Sequence, residues 1–197
     1  MKTDKTIFIK HRINSIEDLE NIPQEYGVEV DIRIYNNEII LNHEPFKSGA
    51  SFENFLKHFK HSFLIINMKC DGAEEMIIKK LKEKSIKNFF FLDCSIPRTV
   101  NLIRRDCNKI AIRYSKYEPI EFVMKFKNQA EWVWVDCFDK FELSEKDYTT
   151  MKEHFKICLV SPELQEHSIE MIDEFKKLSE NMEFDAICTK SPDLWKD

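Results

Sequence analysis

Eight short apolar runs, nearly all separated by one amphipathic stretch, constrain this chain more than any other feature of its sequence. They are "IFIKHR" (7–12), "GVEVDIRI" (27–34), "FLIINMK" (63–69), "NFFFLD" (88–93), "KIAIRYS" (109–115), "AEWVWVDCF" (130–138), "KICLVSPE" (156–163) and "FDAICTK" (184–190). Each has the length and β-branched or aromatic content of a strand. Between them lie helical patterns: residues 15–22, "SFENFLKHF" (51–59), "GAEEMIIKKLKEKSI" (72–86) and "IPRTVNLIRR" (96–105). "PIEFVMKFK" (119–127), a helix opened by Ser144, and "HSIEMIDEFKKLSENM" (167–182) continue the series. "EIILNHEP" (38–45), after a "YNN" turn, reads as an extension pairing locally with the second run. Strands this apolar suit a parallel sheet covered by helices. A count of eight predicts a compact (β/α)8 barrel with short helices, one domain over residues 1–197, near the lower size limit of that fold. An open doubly wound sheet is the alternative.

The composition narrows the function classes. Charged residues make up 33% and apolar residues 43%, with a net charge of −5, so a soluble globular chain is expected. Lysines are spread along the length without a basic block, which argues against nucleic acid. Three glycines, with no GxGxxG and no GxxxxGKS, remove the Rossmann and P-loop readings. No run is long enough to span a membrane, and "MKTDKTIFIKHR" is no signal peptide, so the expected location is the cytoplasm. The six cysteines show no metal-finger spacing and read as reduced core thiols.

Polar residues gather at the ends of the runs: His11 and Arg12, Arg33, Asn67 and Lys69, Asp93, Arg113 and Ser115, Asp136, Glu163, Thr189 and Lys190. In a barrel of parallel strands these ends form the active-site face. Side chains alternate, so Glu29, Asp31 and Arg33 share one face of the second run, opposite Val28, Val30 and Ile32. If the aliphatic face meets helices, two carboxylates point inward, where they lose hydration and repel each other. A divalent cation, Mg²⁺ or Ca²⁺, relieves both penalties, and Asn67 adds an amide oxygen. The alternative is an ion network of Glu29 and Asp31 with Arg12, Arg33 and Lys69. His11 and His43 bracket the acidic run, and two imidazoles beside a cation suit phosphodiester cleavage, one taking a proton and the other giving one. His58, His61, His154 and His167 fall on helices or loops and read as surface residues. Trp132 and Trp134 read as core or rim packing.

The residues "HR…GVEVDIRI…LNHEPF…INMK" resemble the glycerophosphodiester phosphodiesterase family and its phosphatidylinositol-specific phospholipase C relatives. "AICTKSPDLW" resembles that family's closing strand. The resemblance implies a (β/α)8 barrel with His11 and His43 as the acid/base pair. It also implies Glu29 and Asp31 as metal ligands, with Arg12 and Lys69 as phosphate contacts. Ile13 stands where a glycine is usual, Asn14 is the remnant of a "PENT" segment, and "HE" replaces His-Asp. Asn67 replaces the third metal carboxylate, and Asp93 is the nearest candidate to make good that charge. The expected enzyme hydrolyses a small glycerophosphodiester, by way of a cyclic phosphate, with a divalent cation. Arg113 is a further candidate substrate contact. A phospholipase-C-like or phosphosugar lyase, and a non-catalytic barrel binding a phosphorylated ligand or a protein, are the alternatives.

Overall fold

A computed structural model describes residues 6–196, which fall into two compact units. One takes residues 10–106, the other residues 6–9 and 107–196.

The first unit carries strands β2 (Gly27–Tyr35), β3 (Glu38–Leu41), β4 (Ala50–Ser51), β5 (Leu64–Met68) and β6 (Phe89–Leu92) in the order β4-β3-β2-β5-β6. Strand β2 runs parallel to β5, and β5 parallel to β6. The expected local pairing is present as the antiparallel β2–β3 hairpin. Its turn residues Asn36 and Asn37 have φ of 48° and 63°, the left-handed conformation that asparagine tolerates and a tight hairpin requires. Helices α1 (Ile16–Glu20), α2 (Phe52–His58), α3 (Glu74–Glu83) and α4 (Ile96–Ile103) complete this unit. Ser15, Ser51 and Ser95 cap α1, α2 and α4, each accepting from the backbone N–H three residues on. Helix α4 has Pro97 in its first turn, where its missing N–H costs nothing.

The second unit holds β7 (Ala111–Tyr114), β8 (Trp132–Val135), β9 (Lys156–Val160) and β10 (Ala186–Thr189), with most of β1 (Ile7–Lys10) beside β10. Strands β7 to β10 run parallel to one another in that order. Its helices are short: α5 (Ile120–Val123) with a 3-10 turn, α6 (Glu145–Lys152), α7 (Met171–Leu178) and α8 (Pro192–Trp195). Ser144 caps α6, as its position predicted. The helix expected over 167–182 is confined to α7, with turn and irregular residues on either side of it. Trp132 and Trp134 are buried in the core. All six cysteines are free thiols, with Cys137, Cys158 and Cys188 buried. Among the described residues no helix is long and apolar enough to cross a membrane.

Candidate active site

Both faces of β2 are buried. Val28, Val30 and Ile32 are fully buried, and so are Glu29 and Asp31 on the opposite face. The acidic face is therefore not wet. Register then selects its neighbours: Asp31 lies level with Asn67 on β5, and Glu29 with Ile65. Asn67 is 7% exposed. Lys69 follows two residues on, its N–H donating to the Ile32 carbonyl at 3.0 Å.

One segment holds the two carboxylates. The Arg12 N–H donates to Glu29 Oε2 at 2.7 Å, and the Ile13 N–H to the Glu29 carbonyl at 2.8 Å. Asn14 Nδ2 donates to Asp31 Oδ2 at 2.8 Å, and Asn14 Oδ1 accepts from the Asp31 N–H at 2.8 Å. Arg12 reaches this geometry with φ of 56°, an uncommon conformation for a bulky residue, of the kind kept where surrounding bonds enforce it. His11 Nε2 lies 3.7 Å from Glu29 Oε2.

The other oxygens of the site are bare. Glu29 Oε1, Asp31 Oδ1 and Asn67 Oδ1 are buried and accept no hydrogen bond. The nearest cation is Lys69, whose Nζ lies 3.4 Å from Asp31 Oδ1 and 3.9 Å from Asp93 Oδ2. Burial, and then the Asp31 charge, push the Glu29 carboxyl up to about 7, against the pull of the Arg12 N–H, the Asn67 amide and Lys69. A buried oxygen left without a donor costs free energy unless something positive meets it. Two carboxylate oxygens and an amide oxygen form a donor set suited to a hard divalent cation, so the residues present fit one. No cluster of three or more His, Cys, Asp or Glu side chains is placed to hold a metal among the described residues. The set assembled here has two acids and one amide.

His43 stands in the loop after β3. Arg12 Nη2 lies 2.7 Å from His43 Nε2, and Glu44 Oε1 lies 2.8 Å from His43 Nδ1. A guanidinium only donates, so Nε2 accepts, Nδ1 carries the hydrogen and donates to Glu44. Glu44 thus does for His43 what an aspartate at that position would do, and the His43 contact holds the Glu44 carboxyl below its usual range. Arg33 fixes the loop from below: Nε and Nη2 donate to the His43 carbonyl at 3.1 and 2.9 Å, and Nη1 to the Lys69 carbonyl at 3.3 Å. The loop closes through Asn42 Nδ2 on the Ser48 carbonyl at 2.7 Å. Gly49 is required there, because a Cβ would sit 2.1 Å from the Leu41 carbonyl oxygen.

His11, Arg12, Glu29, Asp31, His43, Asn67 and Lys69 thus belong to one bonded network within the first unit, by direct contact or by strand register. Sequence reasoning missed the tasks of Arg33 and Asn14. Arg33 was visible as the third member of the acidic face, but its use as a staple depends on where two loops pass. Arg113 lies in the second unit, where its guanidinium faces Asp136 and Glu118. His61 departs from the surface reading: it is half-buried, its Nε2 lies 3.0 Å from the Ile22 carbonyl, and burial lowers its pKa.

No protein-family model matches the sequence, and no curated protein is similar to it in sequence. Solved structures do resemble it. A glycerophosphodiester phosphodiesterase from Agrobacterium tumefaciens superposes with a TM-score of 0.72 at 12% identity, over 96% of this chain and 99% of that one. A glycerophosphoryl diester phosphodiesterase from Parabacteroides distasonis gives 0.66 at 11% identity, over 96% of this chain and 85% of that one. The chain has their fold. It is the (β/α)8 class that the strand and helix alternation predicted.

Proposed function

We propose that this chain is a metal-dependent phosphodiesterase that hydrolyses a glycerophosphodiester-like small molecule on a single barrel domain. One observation carries the reading: two buried carboxylates each keep one oxygen tied and one bare, with a bare amide oxygen alongside and two histidines tied into the same network. Glu29, Asp31 and Asn67 would hold the cation, Mg²⁺ or Ca²⁺. When bound, it supplies Lewis-acid stabilisation of the negative charge on the phosphoryl oxygens.

In the proposed reaction a neighbouring substrate hydroxyl attacks phosphorus. His43, its Nδ1–H fixed on Glu44, presents Nε2 as the base that takes the hydroxyl proton. His11 gives a proton to the departing alcohol oxygen, and a cyclic phosphate results. Water then opens the ring with the roles exchanged: His11 takes the water proton, and His43 returns its own to the ring oxygen that leaves. Arg12 and Lys69 offset phosphoryl charge. In the free protein the Arg12 guanidinium occupies His43 Nε2, so an incoming phosphate that draws Arg12 to itself also frees the base.

The test is release of alcohol from glycerophosphodiesters by purified protein with Mg²⁺, Ca²⁺ or Mn²⁺. His11→Ala and His43→Ala are each expected to slow turnover by roughly 10²–10⁴-fold. No turnover with any of the three ions would sink the catalytic reading. Phosphorus NMR distinguishes a hydrolase from a lyase that stops at the cyclic product. The missing third carboxylate favours one second reading, a barrel that binds a phosphorylated ligand without cleaving it. Binding of glycerol phosphate with no turnover of any diester would support that.

A further inference from the structure

Each β2 carboxylate has one oxygen held by the segment 12–14, and for Asp31 the holder is a neutral side chain. Asn14 meets Asp31 at two points, its amide N–H on the carboxylate Oδ2 and its amide oxygen on the Asp31 backbone N–H, both at 2.8 Å. The pair of bonds closes a small ring that fixes the rotation of the Asp31 side chain and leaves Oδ1 as its bare atom. An amide takes up Oδ2 without neutralising the carboxylate, so the full negative charge stays available at Oδ1. A lysine or arginine in its place would compete with a cation. One ammonium group is already close: Lys69 Nζ is 3.4 Å from Oδ1. Released from Asn14, the carboxylate would be free to turn and take Lys69 on both oxygens.

We propose that Asn14 is a positioning residue that keeps Asp31 Oδ1 turned toward the divalent cation and confines Lys69 to a single long contact with that oxygen, which the cation can displace; this rests on the metal site of the proposed function. The signal in the sequence is only one asparagine two residues beyond Arg12. Its role follows from the path of segment 12–14 alongside β2, which sets Arg12 at Glu29 and Asn14 at Asp31.

Calorimetric titration of MgCl2, CaCl2 and MnCl2 into the full-length chain tests this without any turnover assay. Partners of this kind typically contribute roughly 10–100-fold to metal affinity, and Asn14→Ala is expected to lose that much. Asn14→Ser, with a shorter donor, is expected to fall between. Adding Lys69→Gln to Asn14→Ala is expected to recover part of the loss, which a purely structural asparagine would not show. Thermal melting of the metal-free variants reports any general destabilisation separately. Wild-type affinity in both Asn14→Ala and Asn14→Ser, even with lowered melting temperatures, overturns the inference and leaves the metal site standing. Loss without recovery on Lys69→Gln overturns the competition with Lys69. A wild-type chain that binds none of the three ions overturns the metal site, and this inference with it.

Discussion

The two units contain strand-end carboxylates of the same type, and their hydrogen bonding separates them. In the second unit Asp136 takes the Arg113 guanidinium on Oδ2 and Gln165 Nε2 on Oδ1 at 2.6 Å. Glu163 accepts from Thr189 Oγ1 at 2.6 Å and the Lys190 N–H at 2.8 Å on one oxygen, and from Ser161 on the other. Both oxygens of each acid are occupied. In the first unit Glu29 and Asp31 are at least as deeply buried, yet each keeps an oxygen without a donor. A polar strand end is therefore not in itself a site. What marks one is a buried carboxylate oxygen that accepts no hydrogen bond, with no more than a lysine at ion-pair distance from it.

Substitutions on the two sides should break in different ways. The largest effect is expected from Asp31→Ala. It removes one of the two proposed charged ligands and should lower both cation affinity and turnover by about two orders of magnitude or more, measured by calorimetry and diester hydrolysis. Asp136→Asn should do the reverse. Losing one of the two acids that face Arg113 is expected to cost about 2 kcal/mol of stability in denaturant melts, with cation affinity unchanged. Equal loss of cation affinity in the two variants would erase the distinction.

The remaining difference concerns pH. Glu29 is raised from 4.5 to about 7 by burial and Asp31. Between those values the unfolded chain has released a proton that the folded chain still holds. Without metal, folded stability should therefore decline as pH rises from about 4.5 through about 7 and level off above. Glu29→Gln should remove this decline and raise the metal-free melting temperature at pH 8 by a few degrees. A saturating divalent cation should flatten the wild-type profile, because it removes the cost of ionising Glu29. A metal-free melting temperature that rises across that interval would contradict the assignment.

Much of the fold was legible because it rests on local rules. Runs such as "FLIINMK" and "NFFFLD" are too apolar for a half-exposed strand, and Ser15, Ser51, Ser95 and Ser144 mark helix starts. The alternation in "GVEVDIRI" placed Glu29, Asp31 and Arg33 on one face. The short helix α7 was less legible, since its amphipathic pattern continues into residues that tertiary packing leaves irregular. The strand-end reading named Arg113, Asp136 and Glu163 alongside Asn67 and Lys69 with nothing to rank them. Their difference is set by partners far away in sequence.

The sequence by itself therefore determined the strand and helix series, the shared face of Glu29 and Asp31, and the histidines on either side. Each follows from side-chain geometry within a few residues. Only the tertiary structure decided which oxygens stay bare, that Asn14 and not a cation holds Asp31 Oδ2, that Arg33 staples the His43 and Lys69 loops, and that Glu44 sets the His43 tautomer. Apart from Glu44, these depend on partners 10 to 36 residues apart, joined by the bonding of segment 12–14 to β2 and by the registers of β2 with β3 and β5. A hydrogen bond is specified by ångströms between such segments, and no local pattern encodes that distance.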